Sequence, residues 1–324
     1  MREIRYAEAV REALAEEMRR DGRVFVYGED VELGYAFTVT KGLVDEFGPE
    51  RVFDTPICEA TIIGIAIGSA MMGLRPVPEI EFGDVMFLAM DMICNMAAKQ
   101  RYMSGGQLTM PIVIRTPGGR WSGFAAQHTQ TVDAFFTHVP GLKVVVPSSP
   151  YDAKGLLKTA IRDDNPVLFF EQKQLYSVSG PVPEEEYLIP FGQANVLREG
   201  KDLTMIGVGL MVKYCLEAAD ILAREGIEAT VVDPRTLVPL DEETILNSVA
   251  RTHRVVIAEE GTKRGGVGAE IAALISEKIL DELDAPIQRV AALDSPIPCS
   301  WVLENEILPD TGKVVQAVKK VLSV

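Results

Sequence analysis

Two doubly wound α/β domains in tandem are what this sequence predicts, and three observations predict them. Short apolar runs alternate with helical stretches along almost the whole chain. The alternation breaks once, between Lys173 and Gly200, where Pro181, Pro183, Glu184-Glu185-Glu186, Pro190 and Gly192 cluster, and then restarts. The length, 324 residues, suits two ordinary cores, since domains usually run to ~100–200 residues. Apolar strands separated by helices imply a mostly parallel sheet covered on both faces. The break is read as a solvated interdomain connection, giving domains 1–185 and 186–324.

The elements follow in order. Residues 6–20 form an amphipathic helix with Val10, Leu14 and Met18 on one face. Strands are expected at 24–27, 77–82, 112–115, 143–146 and 167–171, with helices at 61–73, 85–103 and 153–162. In the second half the strands fall at 203–208, 229–232, 255–258 and 287–290. Helices are expected there at 213–224, 268–283 and 313–321. The run Gly265-Gly266-Val267-Gly268 opens the second of these helices. Ile271 stands where a dinucleotide fingerprint needs its third glycine, so the run is read as a structural turn.

Composition narrows the function. Thirty-two Lys and Arg against 47 Asp and Glu leave a net charge of −15, with no basic run, which argues against a nucleic-acid binder. Mean hydropathy is +0.12, which suits a globular protein with some surface to bury against a partner. Four cysteines, at 58, 94, 215 and 299, form no CxxC pair and have mostly apolar flanks, so buried, reduced thiols are expected. The amino terminus is charged from the outset, without a signal-peptide core. The longest uncharged helical stretch, Ala60 to Gly73, falls short of the ~20 residues a bilayer requires. A soluble cytoplasmic protein is the expectation.

The chemistry concentrates on a few residues. Glu59 stands at the mouth of a helix whose next residues, Thr61 to Met72, carry no charge. A first-turn acid is favoured by the helix dipole in any case, but a carboxylate so poorly solvated should also have an unusual proton affinity. Of three histidines, His253 reads as a turn residue and His138 as a packed or rim residue. His128, in a polar loop after Gly118-Gly119-Arg120, is the candidate for catalysis. No metalloprotease pair, nucleophile elbow or P-loop is present.

The segment DTPICEATIIGIAIGSAMMGLRP (Asp54 to Pro76) resembles the cofactor segment of the beta subunits of thiamine-diphosphate-dependent 2-oxo acid dehydrogenases, the pyruvate, branched-chain and acetoin enzymes. The likeness extends through Gly28-Glu29-Asp30, Tyr102-Met103-Ser104-Gly105-Gly106 and Ala125-Ala126-Gln127-His128-Thr129-Gln130. It continues in Pro140 to Val145, Tyr151 to Leu156, Asp233 to Leu237 and Asp294 to Pro298. It implies a pyrimidine-binding N-terminal domain and a transketolase-type C-terminal domain. It further implies a cofactor, thiamine diphosphate, held between two different subunits. Glu59 would contact a nitrogen of the aminopyrimidine, Glu29 would lie near the reacting centre and Ile57 would support the bent cofactor. His128 would handle substrate or protons while the acyl group passes to a lipoyl arm.

The same likeness places a structural monovalent cation, K+, at Ile112, Ala160, Ile161, Asp163 and Asn165. The Gly-Asp-Gly segment that holds magnesium diphosphate is missing from this chain, so Mg2+ would be held mainly by an alpha-type partner. An alpha2-beta2 tetramer and a lipoyl acyltransferase are the partners implied. Gly64 and Gly68, with the methionines from Met86 to Met96, fit a broad apolar assembly surface. One departure is Val85, where the family often carries an aromatic against the pyrimidine; Phe82 and Phe87 are the possible substitutes. A pyruvate-like 2-oxo acid is the expected substrate. An acetoin dehydrogenase subunit, a self-sufficient transketolase-like enzyme and a non-catalytic scaffold of the same fold are the alternatives.

Overall fold

The computed structural model describes residues 1–34, 37–121 and 123–323. The chain forms two compact units, Met1–Gly118 with Phe135–Phe191, and Gly119–Ala134 with Gly192–Val324. The segment 119–134 groups with the second unit. Its anchors explain why. The Arg120 backbone N–H donates to Glu260 at 2.9 Å, and its guanidinium donates to Glu304 at 3.1 Å and to Asn305.

In the first unit the strands are β1 (Arg2–Arg5), β2 (Val24–Gly28), β3 (Val52–Asp54), β4 (Arg75–Glu79), β5 (Val113–Gly118), β6 (Lys143–Val145), β7 (Val167–Gln172) and β8 (Ser179–Val182). The order β6-β7-β5-β4-β2-β3 makes a parallel sheet, while β1 and β8 form a separate antiparallel ribbon. Strands β2, β5 and β7 are buried at every position, as a sheet covered on both faces demands. The helix Tyr6–Arg20 buries Val10, Leu14 and Met18 as its spacing predicts. It packs on the helix Pro150–Arg162 through a polar seam, in which Lys154 and Lys158 reach Glu16 at 2.7 and 2.6 Å and Arg162 reaches Glu17 at 2.6 Å.

The expected helix 85–103 is instead wound three ways. A 3-10 turn spans Gly83–Ala89, a π stretch Met92–Ala97 and an α turn Ala98–Met103. Periodicity reports which residues are buried; it does not report a change in hydrogen-bond pitch that keeps the same face inward.

The second unit holds β9 (Asn195–Arg198), β10 (Leu203–Gly207), β11 (Ala229–Asp233), the short β12 (Thr236–Val238), β13 (Val255–Thr262) and β14 (Gln288–Ala292). Its sheet runs β14-β13-β10-β11-β9, parallel except for β9. Leu203, Met205, Cys215, Val231 and Val256 form the core between this sheet and its helices. A helix at Glu242–Thr252 was not expected. Asp241 caps it, accepting from the Thr244 N–H at 3.0 Å, and Ile245 and Val249 are its buried face. The glycine turn is structural: a Cβ on Gly266 would lie 2.4 Å from the Glu259 carboxylate, and the Gly268 N–H donates to that carboxylate at 3.0 Å.

Two cysteines depart from expectation. Cys215 is buried and Cys94 half-buried, but Cys58 and Cys299 are exposed; all four are free. Cys58 lies on the turn before a helix, where apolar flanks do not ensure cover. Among the described residues no helix is long and apolar enough to cross a membrane.

Candidate active site

The site grows from the C-terminal edge of the first unit's parallel sheet, where loops leave adjacent strands and ligands of open α/β sheets bind. Gly28 ends β2 beside Glu79 at the end of β4. A Cβ on Gly28 would sit 2.4 Å from the Glu79 carbonyl oxygen, so only glycine allows this approach. The chain then turns sharply through Asp30 at φ 52°. The loops after β2 and β3 are hooked together. Thr55 N–H donates to the Gly28 carbonyl at 2.8 Å, Glu32 N–H to the Asp54 carboxylate at 2.8 Å, and Asp54 N–H back to Glu32 at 3.2 Å.

These ties bring Glu29 and Glu59 together. Glu59 opens the helix Glu59–Met71, which starts two residues earlier than its periodicity suggested, and its side chain lies in the first turn. The Tyr27 hydroxyl pins that turn to β2 by donating to the Ile62 carbonyl at 2.7 Å. Glu59 is 9% exposed, yet no described residue donates a hydrogen bond to its carboxylate. The carboxylate oxygens are not among the sealed, unpartnered polar atoms, so they are open to a group arriving from outside, and the position suits a polar ring presented by a ligand. Glu29 is half-buried. Desolvation, then the charges of Asp30 and Glu59, push its pKa upward. Ile57 is 68% exposed, an apolar surface beside these acids in sequence.

Glu81 is the residue that sequence reasoning missed. Burial, then the charges of Glu29, Asp30 and Glu79, push it up to about 7. The signal was present in Pro78-Glu79-Ile80-Glu81, two carboxylates leaving the C-terminal end of a strand. Since the folded-state value lies above the ordinary 4.5, the native chain binds more protons than the unfolded one between those values. Stability therefore falls as pH rises from about 4.5 through about 7. The thermal midpoint of the wild type should decline over this window more steeply than that of Glu81→Gln. Parallel curves would remove Glu81 as a source of the decline.

Beneath the acids lies a buried network. Arg115, 1% exposed, donates to both Glu171 oxygens at 2.7 and 2.9 Å and to Glu79 at 2.6 Å; the Tyr176 hydroxyl donates to Glu171 at 2.7 Å. Together they tie the middle of β5 to the ends of β4 and β7.

His128 is carried by the second unit. Its loop is closed by Gly119 N–H donating to the Gln130 carbonyl at 3.0 Å, and Ala125 takes φ 60°. The half-buried ring meets Phe124 edge-on at 6.4 Å, and Phe124 meets Trp121 in the same way at 6.4 Å.

Residues 2–178 match the pyrimidine-binding domain of transketolase, and residues 192–314 match the transketolase C-terminal domain. The pyruvate dehydrogenase E1 component subunit beta of Rickettsia felis is 50% identical over 98% of both chains. The 2-oxoisovalerate dehydrogenase subunit beta of Bacillus subtilis is 47% identical over 97% of both. The beta subunit of the acetoin:2,6-dichlorophenolindophenol oxidoreductase of Bacillus subtilis is 46% identical over 99% of this chain and 98% of its own. The chain belongs to the beta subunits of the 2-oxo acid dehydrogenase E1 components. A solved split-gene transketolase, described as an inactive beta4 tetramer, shares the fold at TM-score 0.81 and 28% identity, over 99% and 98% of the two chains.

Two features of this beta-subunit chain bear on its site. Val85 is half-buried in the 3-10 turn, its N–H donating to the Phe82 carbonyl at 3.1 Å. Phe82 already has the Lys173 ammonium 5.3 Å from its ring centre, and Phe87 packs edge-on against Phe135 at 5.0 Å. The expected cation positions do gather at the end of the helix Pro150–Arg162, but basic side chains reach into them. Arg75 donates to the carbonyls of Ile161 and Asp163 at 2.9 and 3.0 Å, Lys143 pairs with the Asp163 carboxylate, and Arg101 donates to Asn165 at 2.7 Å. The Ala160 carbonyl accepts from Asp163 N–H at 3.1 Å, and that of Ile112 from Val167 N–H at 2.9 Å.

Proposed function

We propose that this chain is the beta subunit of a thiamine-diphosphate-dependent E1 component that decarboxylates a pyruvate-like 2-oxo acid and passes the acyl group to lipoamide. The observation that carries this is Glu59, a largely covered residue whose carboxylate takes no hydrogen bond from the described residues, standing in a family whose members bear dehydrogenase names. Thiamine diphosphate, when bound, supplies an acidic ring carbon that adds to the keto carbon and an electron sink for the departing carboxylate.

The chain's own part is proton management. Glu59 would accept or share a proton at a ring nitrogen of the pyrimidine, the covered position of the residue limiting competition from water once the ring is in place. Glu29 and Glu81 hold protons more tightly than ordinary carboxylates, which keeps the pocket from accumulating charge beside Glu59. Ile57, 68% exposed, would offer the cofactor an apolar support. His128 assists the substrate or the acyl transfer. His128→Ala should lower turnover with the lipoyl acceptor by about 10²-fold, the lower end of general acid–base effects, with cofactor affinity unchanged. An unaltered overall rate would remove His128 from the mechanism.

Mg2+ and the diphosphate fall to an alpha-type partner, because this chain lacks the Gly-Asp-Gly segment. The partner's landing surface is read from exposed apolar side chains of the first unit: Ile65, Met71, Met72, Leu88, Tyr102 and Met103, with Tyr102 89% exposed. An alpha2-beta2 tetramer docked to a lipoyl acyltransferase, in the cytoplasm, is the assembly we infer. K+ at Ile112, Ala160, Ile161, Asp163 and Asn165 remains part of the proposal, since each carbonyl there keeps a second lone pair. Arg75, whose guanidinium already serves two of these oxygens, is its competitor.

The substrate is tested by giving the co-expressed assembly pyruvate, 2-oxoisovalerate and acetoin in parallel. The highest kcat/KM is expected with pyruvate. Preference for acetoin would move the chain to the acetoin branch, and no turnover of any would favour the scaffold reading.

A further inference from the structure

On a chain of net charge −15, one cleft in the second unit is basic. It is an open cleft of about 670 Å³ beside β14, the edge strand of the second sheet, between the turn after β13 and the helix Thr311–Leu322. Lys263, Arg264, Arg289, Lys313 and Lys320 line it against a single acid, Asp294, so its lining carries +5 − 1 = +4. The volume falls within the range of small-ligand sites. With the rest of the molecule acidic, this potential is a local construction.

Two of the five charges are already engaged. Arg264 pairs with Asp294 at 2.7 Å, and the Lys313 ammonium donates to the carbonyls of Asn305, Glu306 and Leu308 at 2.7, 2.9 and 2.6 Å. Lys263, Arg289 and Lys320 make no close ion pair among the described residues, although Arg289 lies near enough to Glu259 to feel its charge. Arg289 is oriented, however. One of its nitrogens donates to the Lys263 carbonyl at 2.9 Å, and the Lys263 N–H donates to the Ala292 carbonyl at 3.1 Å. The other guanidinium donors are left for an anion. Lysines on an edge strand can serve only to deter pairing with other strands, but Lys320 stands on the helix and Lys263 on the turn, so the three cations converge from three segments. Their floor is apolar, with Val290 and Ala292 buried and Leu293 58% exposed.

We propose that this cleft binds a condensed phosphate, with Arg289 as the oriented fork, Lys263 and Lys320 as point charges, and the apolar floor taking the base of a nucleoside polyphosphate. The same chemistry is offered by ATP and by inorganic tripolyphosphate.

The test is calorimetry on the full chain co-expressed with its partner and saturated with thiamine diphosphate and magnesium, so that the cofactor's own diphosphate site is filled. ATP and tripolyphosphate are the probes. Binding is expected, and the double reversal Lys263→Glu with Lys320→Glu should weaken it by about tenfold or more. A matched reversal at two exposed lysines elsewhere in this unit, Lys201→Glu with Lys278→Glu, should change it less than about twofold if local charge rather than net charge governs. ATP binding tighter than tripolyphosphate assigns the floor to a base; equal binding assigns recognition to the phosphates alone. Absence of binding by both probes, or equal weakening by the two double reversals, overturns the proposal.

Discussion

Glu59→Gln is expected to leave the subunit folded and assembled while lowering turnover by about 10²–10⁴-fold, the range of a lost general acid–base group. The substitution keeps the volume while removing the charge and the ability to exchange a proton. Glu59 accepts no hydrogen bond from the described residues, so the amide breaks no internal network. The loops that place it are tied through Thr55, Glu32 and Asp54, none of which involves the Glu59 side chain. The loss should therefore appear in kcat, with cofactor affinity changed far less. Steady-state kinetics on the co-expressed assembly, with circular dichroism and sizing as controls, checks it. Turnover within about twofold of wild type would be incompatible with the assigned role.

The largest effect on stability is expected at Arg115. Arg115→Met should lower the unfolding free energy by roughly 3–5 kcal/mol, as breaking a buried ion pair from one side does. Glu171 is fully buried, and among the described residues its carboxylate would keep only the Tyr176 hydroxyl as a donor; Glu79 would lose its guanidinium as well. Glu79 is already pushed upward by desolvation, with Arg115 opposing that shift. Pairing the change with Glu171→Gln should recover part of the loss, because the stranded charge is then gone. The denaturation midpoints of the three variants measure this. A single variant as stable as wild type would show the network to be ornamental to the fold. Because Glu79 pairs with Gly28 across β2 and β4, loosening this layer should also disturb the loop that carries Glu29.

Much of this architecture was legible because burial writes itself into spacing. Val10, Leu14 and Met18 announced the first helix, and continuous apolar runs announced strands covered on both faces. The positions of Glu29 and Glu59 were legible through the motif around them. Other features were not. The grouping of residues 119–134 with the second unit depends on Arg120 reaching Glu304 and Asn305, partners more than 180 residues away that no local pattern reveals. The helix Glu242–Thr252 hid behind acids at its start, although Asp241 and Thr244 form an ordinary cap. The raised pKa of Glu81 required knowing that the loop after β2 and the end of β4 bring carboxylates to one edge. The engagement of the cation positions by Arg75 likewise needed the fold, since Arg75 and Ile161 are 86 residues apart.

The central claim is that this chain supplies the proton-managing half of a shared cofactor site. It is tested most directly by titrating thiamine diphosphate with magnesium into the chain alone and into the chain co-expressed with an alpha-type partner, by calorimetry. Tight binding only in the assembly is the result predicted, with the heat attenuated by Glu59→Gln less than turnover is. Tight binding by the isolated chain, or none in either state, would contradict it.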